Sequence, residues 1–224
     1  MALPKLTTTT YELEVPSTDE KIKYRPFLVK EEKILLIALE SGESESIINA
    51  VKEIVSECTF GKVDLGKIPM FDVEYIFLNI RAKSVGEVSS LRLLCPDDKE
   101  TYINVDVDLS EILVQVDKGH SPKIELTEEM GMIMTYPNID SMSGTGITEI
   151  NATNMLDVIG SCILQIYDKK GEEVYEAKDQ TKKELTEFIE SLNTKQFQAV
   201  QKFFDTMPKL KHCLLYTSPS PRDG

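Results

Sequence analysis

The chain has 224 residues, a formal net charge of −13 and a hydrophobic content of 41%. That hydrophobic content supports a packed interior and excludes a disordered chain. The strong acidity argues against a nucleic-acid partner, because proteins that bind the phosphate backbone carry basic patches. No apolar run approaches the roughly 20 residues of a bilayer-spanning helix, so we expect no membrane partner.

The N-terminus and the cysteines both point to a cytosolic protein. The opening sequence Met-Ala-Leu-Pro-Lys lacks the charged-then-apolar order of a signal peptide. Cys58, Cys95, Cys162 and Cys213 are scattered without paired spacing, so they form neither a disulfide framework nor a zinc ribbon. We predict that Cys58 and Cys162 pack in the core as small apolar residues.

The first part of the chain predicts a hairpin followed by helices. Residues 8–15 have high β-propensity and precede a turn-like Pro-Ser-Thr-Asp and a second short strand at 21–24, which is typical of a hairpin. A helix is predicted from about 29 to 40, where Gly42 ends it. Ser44 is the predicted N-cap of an amphipathic second helix.

Pro69 is predicted to open a third helix that Gly86 ends. Its residues are apolar almost all round, and a helix with little polar face is a central, buried one. We therefore expect this helix and residues 21–33 to form the heart of one helical core.

From residue 88 onwards, apolar residues occur at every second position instead of at the spacing of a helix. Ile103, Val105 and Val107 alternate strictly with polar residues, so the sequence predicts an antiparallel hairpin across a polar turn. Strands near Val114 and at 122–126 are predicted to extend the same sheet. Residues 130–150, rich in Gly, Ser and Met, are predicted to form a loop.

Three further helices are predicted. The first covers 155–167, the second begins after a Thr-x-x-Glu capping box at Thr181, and the third runs from Thr194 to Pro208. The predicted fold class is α+β, a mainly helical core with an N-terminal β-hairpin and an inserted small antiparallel sheet. Residues 1–212 are interpreted as one domain, with the β subdomain at about 88–126.

No residue pattern points to catalysis. His120 lies in a polar turn without a nucleophile or carboxylate at helical or strand spacing, so we interpret it as an exposed loop histidine. Cys-Pro-Asp-Asp at 95–98 resembles half of a zinc knuckle, but the second thiolate is absent. We predict no catalytic, cofactor-binding or metal residues, no cofactor and no small-molecule substrate. A degenerate zinc-ribbon-like metal- or nucleic-acid-binding regulator is the alternative.

Two blocks carry a family resemblance. They are Lys-Ile-Lys-Tyr-Arg-Pro-Phe-Leu-Val-Lys-Glu-Glu-Lys at 21–33 and Phe-Asp-Val-Glu-Tyr-Ile-Phe-Leu-Asn-Ile-Arg-Ala-Lys-Ser-Val-Gly-Glu at 71–87. With shorter matches at 57–60 and 203–212, they resemble the baseplate hub assembly proteins of T4-like contractile-tailed bacteriophages. The resemblance covers most of residues 10–212.

The resemblance implies a non-enzymatic phage protein that takes part in assembly of the baseplate hub through protein–protein interfaces, as an assembly chaperone or as a part of the virion baseplate. The implied partners are phage baseplate hub proteins, and the implied location is the host cell cytoplasm during assembly. Within the two blocks, we predict that the partner contacts include Arg25, Lys30, Arg81 and Lys83. Basic side chains of this kind also often complete local ion pairs.

The last residues differ in composition from the rest of the chain. Cys-Leu-Leu-Tyr-Thr-Ser-Pro-Ser-Pro-Arg-Asp at 213–223 resembles a translated sequencing adapter of the transposase type. We therefore expect residues 213–224 to be a non-native tail. The alternative is a natural disordered tail rich in Ser and Pro.

Overall fold

The computed structural model describes residues 7–95, 100–143 and 155–213. The helices are α1 Val29–Ser41, α2 Ser44–Cys58, α3 Met70–Val85, α4 Ile139–Ser143, α5 Met155–Ser161, α6 Lys182–Glu190 and α7 Thr194–Thr206. The strands are β1 Tyr11–Glu14, β2 Lys21–Tyr24, β3 Val88–Leu94, β4 Tyr102–Asp108, β5 Leu113–Gln115, β6 Lys123–Glu125, β7 Met130–Met134, β8 Ile163–Asp168, β9 Glu173–Glu176 and β10 Lys209–Lys211. The predicted α+β class is confirmed, as is the N-terminal hairpin, in which β1 and β2 pair antiparallel.

The N-terminal core joins the hairpin to helices α2 and α3. The amphipathic pattern of α2 buries Ile48, Ile54 and Val55, and the hairpin adds residues from both of its strands. Tyr24, at the end of β2, lies in the same cluster. The prediction that the first block and α3 share one core is therefore confirmed.

Helix α3 is enclosed on two sides, which explains its lack of a polar face. Val73, Ile76 and Ile80 are fully buried in the N-terminal core. Ala82 belongs to a second, smaller cluster with residues at the end of β4 and just after it. A helix between two apolar clusters keeps only a few exposed positions, among them Glu74 and Lys83.

A buried carboxylate ties the β1–β2 turn to α3. Asp72 is fully buried and accepts hydrogen bonds from the Ser17 amide (3.2 Å) and from the Ser17 hydroxyl. Burial raises the pKa of Asp72, and the Ser17 hydrogen bonds oppose that rise. The two contacts hold the hairpin against the first turn of α3.

The hairpin predicted after residue 88 is confirmed, but its sheet is smaller than predicted. β3 and β4 pair over their full length, from Val88 opposite Asp108 to Leu94 opposite Tyr102. The two strands predicted to extend this sheet pair elsewhere: β5 pairs with β10, and β6 pairs with β7. The prediction of their sheet was wrong because β5 finds its partner far along the chain, and β6 pairs with the next strand, β7, which lies in the segment predicted to be a loop.

The C-terminal core is a four-stranded antiparallel sheet, in the order β6-β7-β8-β9, covered by α5, α6 and α7. The predicted helix over 155–167 was wrong in its second half, because α5 ends at Ser161 and Ile163–Asp168 forms β8. The predicted loop over 130–150 contains β7 and α4, and residues 144–150 lie outside the described residues. Short apolar runs do not distinguish strand from helix by period alone.

The helix ends follow local chemistry. Gly42 takes a left-handed conformation, with φ of 67°, where α1 ends. The capping box predicted at Thr181 is confirmed, with reciprocal hydrogen bonds between Thr181 and Glu184. Two predicted starts shift by one residue, since α2 begins at Ser44 itself and α3 at Met70. Within the described ranges, no helix is long and apolar enough to cross a membrane.

The interpretation of His120 as an exposed loop histidine was wrong. Its ring is half-buried and stacks on Tyr136, with centroids 5.5 Å apart. Nδ1 lies 3.0 Å from the Thr206 hydroxyl, and Nε2 lies 2.9 Å from the Tyr136 hydroxyl. Burial lowers the pKa of His120. The histidine thus joins the loop before β6 to α7.

Replacing Tyr136 by Phe should destabilise the protein by about 1 kcal/mol, because it removes the hydroxyl that bonds to His120. Tyr167→Phe is the matched control: its hydroxyl is buried without a hydrogen-bond partner in the described ranges, so its loss should be neutral or stabilising. Urea unfolding of both variants measures the difference. Equal effects of the two changes would contradict the hydrogen-bonding role.

Candidate functional site

The four basic residues predicted as partner contacts lie in two places. Arg25 and Lys30 lie where β2 passes into α1 beside the end of α2, and Arg81 and Lys83 lie on α3. The first place is a cluster of opposite charges. The second carries one paired and one unpaired basic side chain.

Arg25 and Glu31 form a buried ion pair. The Arg25 Nη2 atom lies 2.8 Å from Glu31 Oε1, and the two side chains are 11% and 1% exposed. Arg25 Nη1 also donates to the Pro26 carbonyl oxygen (3.0 Å), and the Arg25 amide donates to the Cys58 carbonyl oxygen (2.9 Å). Arg25 therefore joins the end of β2 both to the end of α2 and to the first turn of α1.

Glu31 is the acceptor at the centre of this cluster. Its Oε2 atom accepts the Leu28 amide hydrogen (2.8 Å), which caps the start of α1. The ammonium of Lys30 lies 3.1 Å from Glu31 and 3.0 Å from Glu57. The carboxylate thus meets a guanidinium, a backbone amide and an ammonium group.

The electrostatics favour an ionised Glu31. Burial by itself raises the pKa of this carboxyl group, but the hydrogen bonds from Arg25, from the Leu28 amide and from Lys30 outweigh it and lower the pKa from 4.5 to about 2. The hydrogen bond to Glu31 raises the pKa of Arg25. Both charged groups are paired within the fold, so few donors of Arg25 are free to bind a partner.

Arg81 is the exception among the four residues. Its side chain is half-buried, and its Nη1 atom is buried without a hydrogen-bond partner in the part of the chain that the structure describes. A buried charged donor without an acceptor is costly, and such donors are normally satisfied. This orphaned donor sets Arg81 apart from Arg25, whose guanidinium is paired within the fold.

Lys83 is exposed on α3 and is already paired. Its ammonium donates to Glu87, one turn further along, and lies 5.4 Å from the centre of the Tyr11 ring. The hydrogen bond to Glu87 raises the pKa of Lys83. An exposed pair of this kind contributes little to stability and can exchange partners. The roles of Arg25, Lys30, Arg81 and Lys83 as partner contacts stay predictions.

The cysteines are mostly interior. The prediction of core packing for Cys58 and Cys162 is confirmed, since both are fully buried. Burial raises their pKa values to about 11 and about 12, so neither is a reactive thiolate at neutral pH. Cys95 is also buried, and residues 96–99 of the knuckle-like segment lie outside the described residues.

The described ranges contain no group of three or more His, Cys, Asp or Glu residues that could hold a metal ion. The zinc-ribbon-like alternative stays a prediction, because it depends on the segment at 96–99. Residue 213 is exposed, and the rest of the predicted tail, 214–224, lies outside the described residues.

A family model described as T4 bacteriophage base plate protein matches residues 8–221, most of the chain. The chain therefore belongs to this family of phage baseplate proteins. No curated protein and no solved structure matches the chain.

The ion pair between Arg25 and Glu31 should make the stability of the protein depend on pH. Because the pKa of Glu31 is lowered to about 2 on folding, its contribution is fully present above pH 4.5 and is lost as the pH falls towards 2. That contribution amounts to about 3 kcal/mol. We expect the stability difference between the wild type and Glu31→Gln to stay constant above about pH 5 and to shrink below it.

Urea unfolding from neutral pH to about pH 3 measures this difference. Glu32→Gln is the matched control, because Glu32 is exposed on the same turn and forms no ion pair with the described residues. A difference for Glu31→Gln that does not change with pH would contradict the lowered pKa.

Proposed function

We propose that this baseplate protein takes part in assembly of the baseplate hub of a contractile phage tail. It acts through protein–protein interfaces with hub proteins, as an assembly chaperone and without covalent chemistry of its own. Family membership over residues 8–221 supports the proposal. The site of action is the cytoplasm of the infected host cell, where phage baseplates are built.

The observation that links the proposal to a particular part of the structure is the unsatisfied Nη1 donor of Arg81. Arginine is enriched at the energetic centres of protein interfaces, where a partner completes its hydrogen bonds. Arg81 has a buried donor without an acceptor in the described residues. Because Nη1 is buried in the free chain, a carboxylate of a hub protein would satisfy it once the half-buried side chain turns outward on binding and forms a bidentate pair.

Lys83 and Lys30 lie apart from the proposed Arg81 contact. Lys83 lies two residues from Arg81 and is exposed, and Lys30 is exposed at the start of α1. Exposed basic residues on an acidic protein steer association and set orientation more than they add affinity. We place Arg81 at the centre of the hub contact, and we propose Lys83, on another side of α3, and Lys30 as separate contacts outside it. Arg25 holds the fold beneath them.

Arg81→Met should weaken co-sedimentation with the hub proteins of the same phage by at least about tenfold, which corresponds to about 1.4 kcal/mol. The same change should leave the circular dichroism melt intact or raise it, because it removes a buried donor that has no acceptor in the described ranges. Lys195→Met, an exposed change on α7, is the matched control.

A purely structural role for Arg81 would give the opposite pattern, a lower melting temperature with unchanged binding. Failure of the wild-type chain to bind any hub protein would overturn the proposed function itself.

A further inference from the structure

A cavity lies where the start of α3 meets the segment that follows α7. Its volume is about 330 Å³, and apolar side chains form most of its wall. They are Met70, Phe71, Pro137, Met207, Pro208 and Leu210. The volume is at the lower end of the range for ligand pockets, so the cavity has room for one long side chain.

The wall of the cavity is held in place by backbone contacts on two sides. The Met70 amide donates to the Pro137 carbonyl oxygen (2.8 Å), which fixes the start of α3 against the loop after β7. On the other side, β10 follows directly on Pro208 and pairs antiparallel with β5. The cavity is therefore formed by the folded chain itself, as ligand pockets usually are.

Glu74 is the acidic group of this cavity. It lines the wall, and its side chain stays exposed, so a ligand can reach it. It forms no hydrogen bond and no ion pair with the residues that the structure describes. The surrounding protein nevertheless desolvates the carboxyl group and raises its pKa, and no cation of the described residues opposes that rise. An incoming cation would therefore favour the ionised form of Glu74.

Lys209 also lines the cavity, but it does not supply this cation. Its ammonium donates to the Asp205 carbonyl oxygen (3.2 Å) near the end of α7. It makes no contribution to the pKa of Glu74. The charge of the whole chain, −13, likewise favours the approach of a basic group.

We propose that this cavity binds an arginine side chain of another protein, with the guanidinium group on Glu74 and the methylene stem between the apolar walls. A guanidinium group forms two parallel hydrogen bonds to a carboxylate and is less strongly hydrated than an ammonium group. Its stem packs well along apolar surface. Met70 and Met207 have flexible side chains, so the walls can close around the stem.

The charge on the wall disfavours the other classes of occupant. A purely apolar group would desolvate Glu74 further without giving it a cation, which is costly. A carboxylate would bring a second negative charge next to Glu74. An arginine side chain removes both costs, and a basic anchor that fills a desolvated pocket is typical of the residues that dominate a protein interface.

Titration with the peptide acetyl-Gly-Arg-Gly-amide, followed by NMR of isotope-labelled methionine methyl groups, tests the site. The methyl signals of Met70 and Met207 should shift, with a dissociation constant of about 1–10 mM. The signal of Met132, which is fully buried in the C-terminal core, should not shift. The same peptide with citrulline, the neutral isostere of arginine, should cause no shift. Absence of a shift with the arginine peptide, or equal shifts with citrulline, would overturn the inference.

Glu74→Gln should weaken binding of the arginine peptide by at least about tenfold, because it removes the charge and keeps the size of the side chain. Its melt should stay unchanged or rise, since the change removes a desolvated carboxyl group. Glu32→Gln, an exposed change on α1, is the matched control and should bind as the wild type does. Wild-type affinity in Glu74→Gln, or tighter binding of the corresponding glutamate peptide, would contradict the proposed site.

Peptide binding at Glu74 goes beyond the proposed hub function and does not depend on the contact at Arg81. Failure of the wild-type chain to bind any hub protein would overturn the proposed function and leave the peptide result standing. Hub binding by a chain that fails the peptide titration would overturn the arginine site alone.

Discussion

The interaction on which the rest of this structure depends is the buried ion pair between Arg25 and Glu31. It lies where the hairpin ends, α1 begins and α2 ends, so one contact fixes the relation of three elements. A buried pair is stable only when its remaining donors and acceptors are also satisfied. Here the Leu28 amide, the Pro26 carbonyl oxygen and the Lys30 ammonium complete the set.

The two family blocks are neighbours in space and share one apolar cluster. The Phe27 amide donates to the hydroxyl of Ser84 on α3 (2.9 Å), so the segment after Arg25 joins the second block directly. The charge at Arg25 thus serves the fold, and the binding surfaces that we propose are the region of Arg81 and the cavity beside Glu74, both on α3.

Local features of the fold could be predicted from the sequence, but long-range ones could not. The period of α2, the capping box at Thr181 and the alternation of β4 depend on residues close in sequence. The pairing of β5 with β10 joins Val114 to Leu210, which no local pattern specifies. The same holds for the site. Arg25 and Arg81 are both basic residues within the family blocks, and the sequence does not distinguish them. Only tertiary packing pairs Arg25 with Glu31 and leaves a donor of Arg81 unsatisfied in the described ranges.

A double-mutant cycle with Arg25→Met and Glu31→Gln, read by urea unfolding, tests the central role of this pair most directly. Arg25→Met alone should cost about 3–5 kcal/mol, because it leaves a buried carboxylate without its cation. The double variant should cost clearly less than the sum of the two single changes, with a coupling energy of at least about 2 kcal/mol. Single costs that add to within about 0.5 kcal/mol would contradict the account.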